Sequence, residues 1–559
     1  MSTAAGFDCD VLIVGLGPVG ATLAALLARA GIRTIVLDKD AEVYPLPRAA
    51  HFDHEIMRIF QQLGIAETVE RHTQLAPAYE FRTADGQALL RFEIPAHSPS
   101  GWAAGYMFHQ PALEHALRDL LATLPAATMH TGWRYLSQEQ DNSGVTATID
   151  TPSGRTTRRA RYLVGCDGAS SPVRSEVGGG MIDFQFDEPW LVIDARVLPG
   201  ARTPEINLQI CDPKRPTTCV LMGPGRHRWE FMLLPGETPD QVLDDDFIQS
   251  LITPWDCGPV ELERKAVYRF HGLMANRWRN GRVLLAGDSA HQMPPFAGQG
   301  MCSGLRDAAN LAWKLQAVLA GAPEALLDTY QTERAPHVRA IIEQAIGMGR
   351  VVCTLDPVAA AERDRGMLAQ EAGGARPLPP ARAASLTSGC VLDGTTGAGA
   401  LFPQPTTEGQ RLDDVLHDGA WLLSRTTWPG ASDIATVMTL EDASLAPFRK
   451  ALTDWLDREG RRCCSGATRP IRLWNRRPQR AGRRLRPPCH RRNDASAPWP
   501  LIAQAVRRRR ARPWSLRAAS CSANTLSTPW PSTTLSGKPG WPRAASTITS
   551  RIGRLWRGP

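Results

Sequence analysis

Apolar and polar positions follow different rhythms along this chain, and each rhythm predicts a different kind of element. Near the N-terminus, in "DVLIVGLGPVGATLAALLARAGIRTIVLDKD", the β-rich run Val11 to Val14 leads through a glycine turn into an Ala/Leu helix. A second β-rich run, Thr34 to Leu37, then ends in Asp38. Such an order reads as strand, turn, helix, strand, the repeating unit of a parallel α/β sheet. Two further strands are expected, one opening "RYLVGCDGASSPVR" (Arg161 to Arg174) and one over Arg282 to Ala286, and both stop at an Asp/Gly pair. Between them, "WLVIDARV", "TTCVLMG" and "RWEFMLLPG" make residues near 180 to 275 β-rich and predict a sheet that interrupts the first fold. The stretch "PPFAGQGMCSGLRDAANLAWKL" then predicts a Pro/Gly loop running into an amphipathic helix.

The first turn carries Gly15, Gly17 and Gly20 in GxGxxG spacing. In a strand–turn–helix context the first glycine makes the tight turn, the second lets backbone approach a pyrophosphate, and the third lets helix pack on strand. The helix N-terminus presents free N–H groups to phosphates. Asp38 lies eighteen residues after Gly20, where a carboxylate accepts hydrogen bonds from a ribose. Asp167 and Gly168, with Ser171 and Arg174 after them, repeat the logic, and so do Gly287 and Asp288. Each pair puts a carboxylate at the C-terminal edge of a sheet, where open α/β folds bind ligands. The first motif alone does not separate NAD from FAD.

Taken in order, the three motifs make the chain resemble the class A FAD-dependent aromatic hydroxylases, the para-hydroxybenzoate and phenol hydroxylase family. "TYQTERAPH" (Thr329 to His337) is similar to the segment that follows the GD helix there, and the resemblance spans about residues 8 to 345. "ICDPKRPTTCV", "HRWEFMLLPGE" and "GQGMCSGLRDAANLAWKL" look most like the 3-(3-hydroxyphenyl)propionate hydroxylase branch. The implied fold class is α/β: a Rossmann-like FAD-binding domain (residues 1–180 and 276–350) with an inserted β-sheet substrate domain (181–275), a linker (351–384) and a partial thioredoxin-like C-terminal domain (385–460).

The resemblance also implies an activity: a monooxygenase of aromatic catabolism with bound FAD, hydroxylating a phenolic aromatic acid such as 3-(3-hydroxyphenyl)propionate with NADH or NADPH and O2 through a flavin C4a-hydroperoxide. Arg48 and Gln110 are implied to contact FAD, Asp288 to bind its ribityl chain, and Asp167 with Arg174 to stand where flavin and nicotinamide approach each other. Pro295, Gly298, Gly300 and Met301 belong to the segment that would meet the ring, with glycine where a Cβ would collide or need a disallowed angle, and Pro294 and Pro295 stiffening the approach. Amides at the following helix N-terminus would favour the anionic reduced ring. His51 and Asp53 are candidates for the base that deprotonates the phenol, against a plain loop and helix-start pair. His291 is a candidate for proton transfer or for shaping its turn. Arg215 or Lys214 is a candidate partner for a substrate carboxylate, against ordinary surface charge. No second GxGxxG precedes a helix, so the nicotinamide is expected to bind transiently against the FAD domain. An FAD-fold halogenase or reductase is the alternative enzyme; "RWEFMLLP" has one Trp where halogenases carry a paired-Trp WxWxIP motif.

Composition sharpens one part of this picture. The net charge of +8 is not spread evenly: residues 461–559 hold 22 Arg and one Lys against a single acid, Asp494. Removing them from the 64 basic and 56 acidic side chains leaves 41 and 55, a formal charge of −14 for residues 1–460. The twelve cysteines form neither CxxC pairs nor Cys/His clusters of metal spacing, so no metal site is expected and a reducing, cytoplasmic setting fits. The apolar segment Val11 to Ala30 follows Asp8 and Asp10 and is broken by glycines and Pro18, which argues against a signal peptide or membrane anchor. Expected partners are the phenolic substrate and O2, with no membrane and no nucleic acid, and a homodimer stays open.

The last 99 residues break the pattern, with no Phe or Tyr, one Val, six Trp, twelve Pro and 22 Arg. A disordered basic tail is one explanation. A reading-frame shift in a GC-rich gene is the preferred one. "ATRPIRLW" (Ala467 to Trp474) can be encoded so that, moved one base, it reads RPDRYVF, matching the strand with which the third domain of this family ends. A frameshifted product with impaired activity is therefore a further alternative.

Overall fold

The computed structural model describes residues 6–372, 385–390, 399–416, 420–425, 436–458 and 463–467. The Arg/Pro-rich tail, apart from 463–467, and residues 373–384 of the expected linker lie outside these residues, while the helix Pro357–Ala372 occupies the earlier part of that linker.

The N-terminal apolar run forms the strand Cys9–Val14, fully enclosed because it is covered on both faces, which is why it reads as continuous rather than alternating. It lies between two parallel neighbours, Thr34–Asp38 on one side and Gly154–Gly165 on the other. Parallel pairing extends outward to Ala127–Thr131 and to Val283–Leu285. Antiparallel strands Arg134–Gln140 and Val145–Thr151 continue from Gly154–Gly165. The helix Pro18–Arg29 buries nearly all of its apolar residues against this sheet and against helix Gly300–Leu319.

Strand order brings the C-terminal ends of Cys9–Val14, Gly154–Gly165 and Val283–Leu285 together. Consequently the GxGxxG turn, the Asp167 loop and the Asp288 loop share one edge of the sheet, although Gly15 and Asp288 lie 273 positions apart in sequence.

The inserted β-rich region forms a second sheet. Its long strands Met181–Val197 and Val260–Ala275 pair antiparallel, followed by Arg226–Met232, Thr217–Leu221 and Asn207–Ile210. Strands Ala78–Arg82 and Ala88–Glu93 complete one edge and His291–Gln292 the other, so this sheet extends beyond residues 181–275. Side chains alternate between two environments. Leu191, Ile193, Trp229 and Phe231 pack under the short helices Pro239–Val242 and Asp245–Ile252. Trp190 and Met232 join the main core on the opposite face.

C-terminal to these, Ala420–Ser424 pairs parallel with Thr436–Thr439 and antiparallel with Cys463–Ala467. Leu412, Leu423, Phe448, Leu452 and Leu456 form a separate core there. Among the described residues, no helix is long and apolar enough to cross a membrane.

Candidate active site

The glycine turn has the form its spacing predicts. Gly15 adopts φ +103°, and a Cβ there would meet the Cys166 carbonyl oxygen at 2.3 Å. At Gly20 a Cβ would lie 1.9 Å from the Gly15 oxygen, so both positions require glycine for close packing. Gly17 differs: it stands at the N-cap of helix Pro18–Arg29 and has no atom within 4 Å of a would-be Cβ. Its surroundings are open where the helix N–H groups emerge. Asp38, at the end of the neighbouring strand, accepts hydrogen bonds from the backbone N–H groups of Leu16 (2.7 Å) and Asp40 (3.0 Å).

The two later motifs touch each other. Asp167 accepts from the Ser171 hydroxyl (2.5 Å) and the Val173 N–H (3.1 Å), and burial pushes its carboxyl above the ordinary range against these bonds. Gly168 has φ +80° and open space beside it. Arg174 reaches across to donate to the carbonyls of Ala169 (2.6 Å), Ser289 (3.2 Å) and Asp288 (3.4 Å), tying the Asp167 loop to the Asp288 loop. The Asp288 side chain opens to solvent on one side yet is crowded by protein, and this burial raises its carboxyl. Its carboxylate makes no hydrogen bond among the described residues.

Arg48 and Gln110 meet, though by a route the sequence did not disclose. The Gln110 side-chain oxygen accepts from the N–H groups of Arg48 (2.9 Å) and Ala49 (2.7 Å), while its amide donates to Glu114 (2.7 Å). From the other side Arg228 donates to the carbonyls of Arg48 (2.8 Å) and Pro47 (2.9 Å), and Arg264 also donates to Pro47. The loop backbone is clamped from both sides, and the Arg48 guanidinium projects over the exposed Tyr44 ring, 5.0 Å from its centroid.

His51 donates from Nδ1 to the Gly298 carbonyl at 3.1 Å; a carbonyl only accepts, so this bond assigns the proton to Nδ1 and leaves Nε2 with a lone pair. Burial lowers its pKa, which favours the neutral ring. Gly298 has φ +62°, and a Cβ there would press on His51 Nδ1 at 2.9 Å. Asp53 is differently engaged. It caps helix His54–Leu63 through the N–H groups of Glu55 and Ile56 and pairs with Arg306 at 2.5 Å. Burial works to raise its pKa, but the Arg306 charge outweighs it and holds the carboxyl well below the usual range. His291 is enclosed, with Nε2 2.6 Å from Asp307 and its ring against Trp278. Arg215 is paired with Glu237 at 2.6 Å, and Lys214 has no ion pair among the described residues.

Helix Gly300–Leu319 begins with Gly300 and Met301, and its N-cap Gln299 makes no capping side-chain bond. Pro295 is exposed beside it, and only the Met293 side chain comes within 4 Å of a Cβ built on Gly300. Further along, the expected amphipathic pattern gives way to a buried polar ladder. Arg306 binds Asp53, Glu55 (2.9 Å) and Gln299 (3.0 Å). Asp307 accepts from His291, the Gly287 N–H (3.2 Å) and Arg334 (2.7 Å), Asn310 donates to Glu333 (2.8 Å), and Lys314 pairs with Glu333 (2.8 Å). Glu333 and Arg334 come from "TYQTERAPH", whose Tyr330 hydroxyl also donates to the Leu285 carbonyl (2.9 Å). That segment fastens the Asp288 loop from behind. Its signal in sequence was the 307, 310, 314 spacing of charged and amide residues on one helix face.

Residues 8–345, the part of the chain that builds this site, match the FAD binding domain family. The chain belongs to this family. It is 42% identical over 424 residues to a probable NADH-specific resorcinol 4-hydroxylase of Rhodococcus jostii (strain RHA1), covering 74% of this chain and 78% of that one. Over 426 residues it is 37% identical to a 3-(3-hydroxy-phenyl)propionate/3-hydroxycinnamic acid hydroxylase of Mycobacterium sp. (strain JLS), covering 74% of each. The fold matches that of aklavinone-11 hydroxylase, solved with FAD and aklavinone, with a TM-score of 0.68, 23% identity, and 85% and 96% of the two chains covered.

This FAD-dependent aromatic-ring monooxygenase has a cleft edge that fits its cofactor. Gly17 and Gly168 leave open space at the sheet edge, an uncapped helix N-terminus opens beside Gly300, and the Asp288 carboxylate has no hydrogen-bond partner among the described residues. Gly15 and Gly20 build the turn, and Gly287, at φ +67° against Val19, builds the last loop.

Proposed function

We propose that the enzyme hydroxylates a monocyclic phenol bearing a second polar group meta to the hydroxyl, using NADH as hydride donor. Resorcinol and 3-(3-hydroxyphenyl)propionate, which the names of two relatives specify, share that substitution. The observation that carries the reading is the convergence of the His51 imidazole, the Gly298 carbonyl and the Pro295–Met301 loop beneath the inserted sheet. When bound, FAD supplies the redox chemistry, hydride acceptance from the nicotinamide and activation of O2.

The chain's own residues supply the rest. His51 Nε2 takes the phenol proton, which makes the ring electron-rich, and its Nδ1 bond to Gly298 fixes the tautomer and orientation. Asp53, paired with Arg306, orients that segment rather than acting as a base. Asp288, Asp38 and the glycines of the three turns hold the cofactor, with Arg48 and Gln110 fixing the loop above it and Asp167 and Arg174 joining the two later motifs. His291 shapes the turn through Asp307. Trp190, Phe270 and Phe296, with centroids 5.5–6.2 Å apart, form an apolar wall that excludes water from the reacting ring.

Purified enzyme assayed with NADH tests this directly. Phenols with a meta substituent should accelerate NADH oxidation and yield hydroxylated product, and His51→Ala should lower kcat by about a hundredfold while leaving bound flavin in place. An oxidation rate indifferent to every phenol would refute the reading.

A further inference from the structure

The strand Arg226–Met232 alternates its side chains, and the face that carries Arg228, Glu230 and Met232 looks toward the FAD-binding domain. Arg228 on that face is fully engaged, binding Asp194 through two bonds (2.6 and 3.0 Å) and the carbonyls of Pro47 and Arg48. Glu230 is not. It is 5% exposed, its carboxyl makes no hydrogen bond among the described residues, and Arg228 approaches only to 3.6 Å.

Its neighbours place it between the two segments that border the flavin site. Directly across the ladder is Thr218, whose hydroxyl donates to Gln209 (2.7 Å). Gln209 donates to the Tyr79 hydroxyl (2.5 Å), which donates to the Phe296 carbonyl (3.1 Å) in the Pro295–Met301 loop. Thus Glu230 has the Arg48 loop on one side, through Arg228, and the Phe296 loop on the other, through Tyr79. Trp190, Phe270 and Phe296 supply aromatic surface on the same side of the sheet.

A buried carboxyl without a donor is costly, and a ligand hydroxyl would relieve that cost. When ionised, the same group would repel a ligand carboxylate. A second cation, Arg264, has its Nε and one terminal nitrogen unpartnered among the described residues, but both are sealed from solvent, and it is committed to Asp194, Pro47 and the Tyr268 ring. Arg215 is held by Glu237.

We propose that Glu230 reads the second substituent of the substrate: its carboxyl accepts a hydrogen bond from a ring hydroxyl, selecting an uncharged meta-dihydroxybenzene and rejecting phenols that carry a carboxylate. This rests on the phenol-hydroxylase reading above and narrows it.

The test uses the FAD-loaded full chain at pH 8, where the carboxyl is ionised, with two probes, 1,3-dihydroxybenzene and 3-(3-hydroxyphenyl)propionate. Binding is read by perturbation of the flavin absorbance without NADH, and turnover by kcat/KM. The wild-type enzyme should favour the dihydroxybenzene at least tenfold in both. Glu230→Gln should shrink that ratio about tenfold or more, chiefly through Kd and KM rather than kcat. Glu230→Asp should recover part of it. A wild-type preference for the carboxylate-bearing phenol overturns the proposal without any variant, and so does a ratio unchanged in Glu230→Gln. If neither probe binds or accelerates NADH oxidation, the phenol-hydroxylase reading falls as well; if both turn over and only the ratio fails to respond, Glu230 alone is misassigned.

Discussion

A single methyl group separates a working dinucleotide turn from a broken one at Gly20. Its Cβ would sit 1.9 Å from the Gly15 oxygen, and because that atom is backbone in a packed turn, nothing flexible can yield. Gly20→Ala should therefore purify with at least tenfold less flavin per chain, as read from the ratio of flavin to protein absorbance, whereas Gly17→Ala, with open space around it, should fold normally and lose flavin affinity only through the ligand. Glu230 offers a test by pH. Burial pushes its carboxyl up to about 7 from an ordinary 4.5, so the folded chain holds this proton more tightly than the unfolded one. The resulting penalty is absent below about pH 4.5, grows between 4.5 and 7, and is complete above 7; Arg228, Asp194 and Arg264 are the charged groups that face it. Glu230→Gln should accordingly be more stable than wild type at pH 8, by on the order of 2 kcal/mol in denaturant melts, and should converge with it near pH 4.5.

Among the elements, helix Gly300–Leu319 carries the most consequence. Its N-terminus opens the site, while its buried polar face organises the loops behind it. Asp307 is the centre of that face, since its carboxylate holds His291, the Gly287 N–H and Arg334 together. Asp307→Ala leaves the Arg334 guanidinium buried without its carboxylate, and a loss of about 3–5 kcal/mol is expected, seen as a lower melting temperature together with rising free-flavin fluorescence. That a helix follows the Pro/Gly loop was legible in the amino-acid order. Its charges were not: a 307, 310, 314 stripe looks the same whether water or Glu333 and Arg334 cover it. For the same reason Asp53 looked like a free base until Arg306, 253 residues away, was seen to hold it.

At the scale of the molecule, the C-terminal region is joined to the FAD-binding part by polar contacts. Arg58 of helix His54–Leu63 binds Asp413 through two bonds (2.5 and 2.7 Å) and the Phe402 carbonyl (2.6 Å), and Arg411 lies 3.4 Å over the Trp102 ring. Arg58→Ala should release residues 399–416 to protease digestion while flavin stays bound. The Arg/Pro-rich tail belongs to a different question, its reading frame. The encoding DNA, read one base along from near codon 461, should give acidic, Val-rich text with an early stop, and an Arg/Pro-rich alternative frame would sink that account. A chain ending at residue 470 keeps the strand Cys463–Ala467 and should hold as much flavin as the full chain.

By itself the amino-acid order determined what depends on neighbours along the chain. The glycine turn, the strands that stop at Asp167 and Asp288, and the helix after Gly300 follow from backbone freedom and apolar periodicity, which are local. Tertiary structure alone decided which polar groups found partners. It engaged Arg215 and Asp53, clamped His291 to Asp307 and Gln110 to the Arg48 loop, drew residues 78–93 into the inserted sheet, and left Glu230 without a hydrogen bond among the described residues. A side chain's chemistry in a folded protein depends on burial and on charges brought close from distant sequence, and neither is encoded in the residues beside it.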